Sequence, residues 1–488
     1  MLNYEKSKKI PNFWIVKNRL KMKKINIENI LCAFIILCPI LDIVSFLYRN
    51  IFETNFSPST IIRPLISIVV LIYLFLKKDR KFKIFVISTG LLYSIYGIIH
   101  LHLFKEVISG SSYSNVIHEM QYIINYSFMI LNLFLYVYTF KDANISKLKK
   151  SVLIATSIYV ISIYLAILTN TSSHTYVQEQ IGYKGWFESG NSISSILILS
   201  MFICIGYIKD KKYRKIVIPL FVLMGIFLTT LIGTRVGLFG FILVLFIYAV
   251  VEIIEGLLQK RKINKKLVVG GIIGIIAIIV IVTLAGSSTL QRRKHLKEIE
   301  KNIFDASKNS ESHITGSLLE IKKKIENNTL EEGYMNEAQK KSIMDLYKIA
   351  NEIGIKNNDQ RMQQLIYNFQ LIKNQKEPAL VIFGNGYMAN YRELVLEMEV
   401  PAILFNFGIM GFLLYLGPIF AILLYAICIS IKNWRKIDGE IMLIFLGCLM
   451  VFALATLSGY TFFNSSTMII IIVLYSILLN KSIKIERG

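Results

Sequence analysis

Residues 216–254 read IVIPLFVLMGIFLTTLIGTRVGLFGFILVLFIYAVVEII. Two apolar runs, 216–232 and 236–254, are each long enough to cross the ~30 Å hydrocarbon core of a bilayer, which takes about 17–25 residues of helix. Only Gly233, Thr234 and Arg235 separate them. So short a break predicts a tight helical hairpin with Arg235 held at the membrane surface. Working outward, the same rhythm of apolar run and short polar break fills most of the chain. Candidate spans fall at about 30–48, 60–76, 84–104, 122–140, 152–169, 193–208, 216–232, 236–254, 267–285, 403–430, 441–459 and 466–479. The fold class is therefore all-α, a polytopic membrane protein of about twelve transmembrane helices.

Composition agrees. Of 488 residues 54% are hydrophobic and 18% charged, against about a quarter charged in soluble domains. The formal net charge of +23 could point to nucleic acid, so the placement of the positive residues decides. If the N-terminus is inside, the cytoplasmic breaks hold 33 of the 55 Lys and Arg. The short breaks opposite hold five: Arg49, Arg63, Lys105, Lys184 and Arg235. Positive-inside asymmetry then sets the orientation, with both termini cytoplasmic and an even number of crossings in a bacterial plasma membrane. The basic leader before the first span (Lys17, Arg19, Lys21, Lys23, Lys24) reads as a retained signal anchor. The charge is explained by topology and attraction to anionic lipids, and no nucleic-acid partner is expected. Cys32, Cys38, Cys204, Cys428 and Cys448 all lie in apolar runs, which argues against a disulfide framework, and no metal-ligand spacing appears.

One stretch breaks the rhythm. The chain divides into a membrane portion at 1–285 with nine spans, a large extracytoplasmic loop at 286–400 and a second membrane portion at 401–488 with three. Within the loop the pattern predicts short amphipathic helices: about 315–327 with Leu318, Leu319, Ile321 and Ile325, one begun by Asn336 with Ile343, Leu346 and Ile349, and one opened by Asn358-Asp359 with Met362, Leu365, Phe369 and Ile372 at helical spacing.

Topology does not require arginines on the outer side, so those present draw attention. Arg235 serves a ligand anion or snorkels to lipid phosphates. Arg361 opens a helix, where backbone N–H groups and the macrodipole favour anions and a planar guanidinium holds two oxygens at once; solvation at a helix start is the simpler account. Glu397 and Glu399 stand just before Pro401, where the loop re-enters the membrane, as general bases or as a solvated flank. Asp42 in the first span and Arg63 at the start of the second are placed to pair across adjacent helices. His100, His102, His118 and His174 lack ligand spacing and read as surface residues.

Three segments resemble the O-antigen ligase and polysaccharide polymerase superfamily. Gly182-Tyr183-Lys184-Gly185-Trp186-Phe187-Glu188-Ser189-Gly190-Asn191 is similar to the family's aromatic-glycine segment before a helix. Leu228 to Gly237, with Thr234-Arg235, is similar to its Thr/Ser-Arg-Gly hairpin. Gln360-Arg361, then Ile382-Phe383-Gly384-Asn385-Gly386-Tyr387, then Phe407-Gly408-Ile409-Met410-Gly411 follow its closing order. Many relatives carry a His-Asn pair about eleven residues before the last motif, whereas this chain has Glu397-Met398 there. The resemblance implies a metal-independent, cofactor-free glycosyltransferase that moves a glycan from a polyprenyl diphosphate to an acceptor glycan hydroxyl. It implies Arg235 and Arg361 as catalytic residues, with Glu397 or Glu399 as the base in place of the family's histidine unless the arginines act alone. Glu397 is taken as the catalytic carboxylate and Glu399, Asn191, Thr234 and Lys184 as substrate-binding residues, and there is room for other polysaccharide assembly proteins as partners. Polymerase and ligase both remain open on these residues, as does a lipid-linked oligosaccharide flippase. A flippase, however, is expected to show repeated halves and mid-membrane charges.

Overall fold

A computed structural model describes residues 26–54, 56–104, 116–258, parts of 269–282, 286–306, 314, 317–355, 359–387 and 394–487. Its helices are α1 (Ile27–Phe52), α2 (Pro58–Lys77), α3 (Arg80–Leu103), α4 (Val116–Phe140), α5 (Ser146–Leu168), α6 (Gly190–Cys204), α7 (Lys211–Ile226), α8 (Arg235–Leu258), α9 (Ser288–Ala306), α10 (Ser317–Glu326), α11 (Glu337–Ile353), α12 (Gln360–Gln375), α13 (Pro378–Phe383), α14 (Glu399–Lys432), α15 (Gly439–Leu457) and α16 (Ser465–Arg487). Eleven helices among the described residues are long and apolar enough to cross a membrane: α1 to α8 and α14 to α16, with α6 extended to Lys209 and α7 to Leu231 by short turns. The span expected at 267–285 lies largely outside the described residues.

Runs rich in Ile and Val, which favour strands in water, are helical here. In hydrocarbon each backbone amide must be satisfied within its own segment. Several side-chain hydroxyls are satisfied within their own helix: Thr156 Oγ1 donates to the Val152 carbonyl (2.8 Å), Ser194 to Gly190 (2.8 Å) and Ser476 to Ile472 (2.7 Å). α6 and α16 are the most enclosed spans and form the centre of the bundle, whereas α3 is only 17% buried along its apolar stretch and stands at the edge. The Asp42–Arg63 pair expected from the sequence is present at 2.6 Å. Asp42 also accepts from Tyr159 (2.7 Å) and Ser466 (2.6 Å), so the ion pair ties α1, α2, α5 and α16 together.

The ends of α1, α3, α5, α7 and α15 and the beginnings of α2, α4, α6, α8, α14 and α16 share one face of the bundle. α9 to α13 belong to this face, hereafter the cap face. The three helices expected in the long loop are found as α10, α11 and α12, with a core of their own that includes Leu318, Ile343, Leu346, Tyr367 and Leu371. Asn336 caps α11, accepting from the Gln339 amide at 2.8 Å while the Gln339 side chain accepts from the Asn336 amide. One detail is corrected. α12 does not bury Met362 and Phe369, which are 48% and 59% exposed; it buries Gln363, Gln364, Tyr367, Asn368 and Leu371. The polar members bind neighbouring backbone, as Asn368 does with Leu394 (3.2 Å), and apolar periodicity does not mark such a face.

The motif segments meet in pairs. A two-stranded hairpin, β1 (His174–Tyr176) and β2 (Ile181–Tyr183), not anticipated from the sequence, sets Gly182 against the α7–α8 break, where an added Cβ would lie 2.4 Å from the Ile232 carbonyl oxygen. In the second pair, Gly408 interrupts α14 at φ 67°, a left-handed conformation favouring glycine. The break releases two carbonyls, and the Gly384–Gly386 turn takes them: Asn385 N–H donates to Phe405 and Gly386 N–H to Asn406, both at 2.9 Å. An added Cβ at Gly384 would sit 2.2 Å from the Asn406 oxygen, and one at Gly408 2.3 Å from that of Ile382.

Candidate functional site

α15 ends at Leu457, leaving its last carbonyls without intrahelical partners and a partial negative charge at that end. Arg361, in the first turn of α12, covers it. Its Nη1 donates to the Leu457 carbonyl, its Nη2 to that of Ser458 (3.4 Å) and its Nε to Glu397 Oε2 (3.3 Å). Asn191 Nδ2, from the first turn of α6, donates to the same Ser458 carbonyl at 3.1 Å. The Glu397 amide donates to Gln364 Oε1 (3.1 Å), and Gly459, at φ 70°, lies against the Glu397 carbonyl. Three of the expected residues, Arg361, Glu397 and Asn191, thus converge on the turn after α15. The Arg361 and Glu397 side chains are 40% and 44% exposed, so the pair is accessible.

Glu399 behaves differently from its neighbour two residues away. It is fully buried, and its carboxylate accepts from the amides of Thr461 (2.7 Å), Phe462 (2.6 Å) and Phe463 (2.9 Å). A carboxylate saturated by backbone donors holds the 458–463 turn in shape. That turn in turn presents the Ser458 carbonyl to Arg361 and Asn191.

Arg235 starts α8, as the three-residue break predicted, and its side chain is exposed. Among the described residues it forms no ion pair, and its charge acts on Tyr176 of the hairpin, over whose ring the Arg292 guanidinium lies at 3.4 Å. Thr234 is buried. Its Oγ1 accepts from the Gly237 amide (3.0 Å), capping α8, and shares a hydrogen bond with Ser194 of α6 (2.8 Å). Asn191 and Ser194 are one helical turn apart, so the Arg235 and Arg361 groups attach to the same end of α6, whose amides and dipole add positive potential there. Lys184 Nζ donates to the Glu188 carbonyl (2.8 Å); partial burial and the nearby Arg49 charge hold its ammonium below the ordinary lysine range. Arg49 itself is paired with Glu188. Among the described residues no group of three or more His, Cys, Asp or Glu is arranged to hold a metal ion.

A family model described as "O-antigen ligase like membrane protein" matches residues 24–486, nearly the whole chain. The chain belongs to that family. No curated protein and no solved structure matches it. Membership assigns this O-antigen ligase-like protein a glycosyltransferase-like role in a membrane, as glycan ligase or polymerase, with a lipid-linked glycan and an acceptor as its substrates.

Two features of this O-antigen ligase-like chain escaped the sequence reading. His100 is not a surface residue: it is 1% exposed, with Nε2 2.7 Å from Glu119 and Nδ1 2.6 Å from the Phe383 carbonyl. Glu119 also accepts from the Tyr387 amide (2.6 Å), so the pair anchors both sides of the Gly384–Gly386 turn to α3 and α4. The second is the 457–463 turn, which contributes backbone groups rather than side chains. Its signal in the sequence is Ser458-Gly459 at the end of an apolar run, which any helix terminus could carry.

Proposed function

We propose that this protein polymerises a surface polysaccharide by transferring a glycan from a polyprenyl diphosphate to a hydroxyl of an acceptor glycan. The reaction takes place at the cap face, on the outside of a bacterial plasma membrane with both termini cytoplasmic. Residues 286–400 form the catalytic cap between membrane portions 1–285 and 401–488. The observation that carries this reading is the convergence of Arg361, Glu397 and Asn191 on the turn after α15, beside the α6 end that also bears Arg235.

The acceptor oxygen attacks the anomeric carbon, the bond from that carbon to the phosphate oxygen breaks, and its electron pair leaves with the diphosphate. The hydroxyl proton passes to the Glu397 carboxylate as general base. Arg361 begins the reaction neutralised by Glu397. Protonation removes that balancing charge just as negative charge grows on the leaving diphosphate, so the Arg361 guanidinium becomes available when it is needed. Arg235, exposed and without an ion pair among the described residues, adds a second positive group. Fixed charge of this kind stabilises the transition state without a metal. Displacement in one step inverts the anomeric centre. Glu399, Thr234 and Lys184 position the turn, the α8 cap and the hairpin loop that frame the substrates.

The test is transfer by purified protein given a polyprenyl-diphosphate-linked glycan. Arg235→Ala and Arg361→Ala are expected to lower kcat/KM for the donor. Glu397→Gln is expected to lower kcat by about 10²–10⁴, the usual contribution of a general base, without raising the donor KM, because Arg361 is then unmasked. Movement of the lipid-linked glycan across the membrane with no new glycosidic bond sinks the reading in favour of a flippase.

A further inference from the structure

For a helix in water, α12 is inside out. Its inward residues are polar: Gln364 Oε1 accepts from the Glu397 amide (3.1 Å), Asn368 donates to the Leu394 carbonyl (3.2 Å) and Asn374 to Asp345 of α11 (2.8 Å). Its outward residues are apolar. Met362, Leu365, Phe369 and Ile372, three and four apart, lie on one side of the helix. Met362 and Phe369 are exposed, and Leu365 and Ile372 belong to neither hydrophobic core of the described residues. α11, in the same cap, follows the opposite rule, with Glu337, Lys341, Lys348 and Glu352 sharing an exposed face.

Both ends of α12 are tied to the ends of membrane spans. At its start, Arg361 donates to the carbonyl of Leu457, the last residue of α15, whose own side chain is exposed. At its end, only Lys376 and Glu377 separate Gln375 from α13. There the Phe383 carbonyl lies 2.6 Å from Nδ1 of His100, in the last turn of α3, and the Phe383 ring lies 6.1 Å from that of Tyr96, one turn deeper. Beside this contact Val381 and Ile382 of α13 are exposed, as are Ile98 and Ile99 of α3. A helix of 16 residues, about 24 Å long, that is fastened at each end to a span end runs along the membrane boundary rather than away from it. The charged residues of α12 are Arg361 and Lys373, one near each end and both basic, with Lys376 just beyond.

We infer that α12 is docked into the membrane on the cap side, with acyl chains of that leaflet covering the stripe from Met362 to Ile372. An apolar face edged by cations matches a lipid surface, whose chains take the stripe and whose phosphates take the cations. A bilayer is favoured over a second protein because both tethers of the helix are span ends and its charges are of one sign. The docking holds Arg361, in the first turn, at the depth of lipid phosphates, whichever reaction the site performs.

The test uses full-length protein carrying Trp14→Phe, Trp186→Phe and Trp434→Phe, which removes the native tryptophans, with Phe369→Trp as the single reporter. It is reconstituted in vesicles of phosphatidylcholine whose acyl chains are brominated near the headgroup. The reporter is expected to lose roughly half its emission to the bromines and little to aqueous acrylamide, as for a helix lying at the boundary of headgroups and chains. Lys348→Trp, on the charged face of α11, is expected to show the reverse. Met362→Trp replaces the first reporter if that variant does not fold. Adding Phe369→Glu to Met362→Trp is expected to abolish the bromine quenching. Acrylamide quenching at 369 without bromine quenching places the stripe in water, and quenching by neither means that protein covers it; each result overturns the docking. Undiminished bromine quenching at 362 beside Phe369→Glu overturns it too, because the spans alone then set the depth of α12.

Discussion

Arg63 and Arg361 each bind a carboxylate, yet their surroundings assign them opposite roles. Arg63 is buried against Asp42 inside the bundle, where loss of one partner strands a charge. Arg63→Ala is therefore expected to destabilise the protein by about 3–5 kcal/mol, read as a lower thermal midpoint in detergent, and Arg63→Ala with Asp42→Asn is expected to recover part of it. Arg361 and Glu397 are half exposed, and such pairs contribute about 0–1 kcal/mol to stability. Variants there are expected to melt near wild type and to fail in transfer. The Asp42–Arg63 pair was legible in the sequence because opposite charges inside consecutive apolar runs have few other places to go. His100 and Glu119 were not, because the stretch between them hides that α3 and α4 return to the same depth. The separate fates of Glu397 and Glu399 were illegible too, since two carboxylates flanking one methionine look alike until the 461–463 amides are in place.

At the scale of elements, the most constraining feature is the joint between the Gly384–Gly386 turn and the break in α14. Gly408→Ala introduces a Cβ 2.3 Å from a carbonyl oxygen at a positive φ, so backbone must move on one side or the other. The expected result is loss of transfer activity together with faster proteolysis between α13 and α14, checked by limited digestion of the purified variant. The glycines at this joint and at the hairpin were visible in the sequence as motifs, but only packing shows that the first two segments embrace each other and the last two do the same. The eleven apolar spans among the described residues were read correctly because length and hydropathy suffice for them. The hairpin and the buried face of α12 were not, because strands of three residues and faces built from Gln, Asn and Tyr leave no periodic apolar trace.

For the molecule as a whole, the alternation of helix ends places the cap helices and both arginine groups on one face of the helix bundle. Single cysteines at Asn328, between α10 and α11, and at Lys212, at the start of α7, test the orientation in a Cys428→Ser background, Cys428 being the one exposed native thiol among the described residues. An impermeant maleimide is expected to reach position 328 in intact cells and position 212 only after lysis; the reverse pattern overturns the orientation. The short helix between Glu399 and Gly408 carries a further consequence. It is latched at one end by three amides and at the other by the broken backbone. Such a segment works as an angular gauge. One inserted residue turns everything on its far side by about 100°, swinging the Glu399 carboxylate off its amides and carrying Glu397 away from Arg361. Among the described residues, the hydrogen bonds of Asn327, Asn328 and Thr329 go only to the last turn of α10. Chain length is therefore expected to be fixed from 399 to 408 and free to drift around 327–330, and a one-residue insertion in each place, assayed for transfer, distinguishes the two.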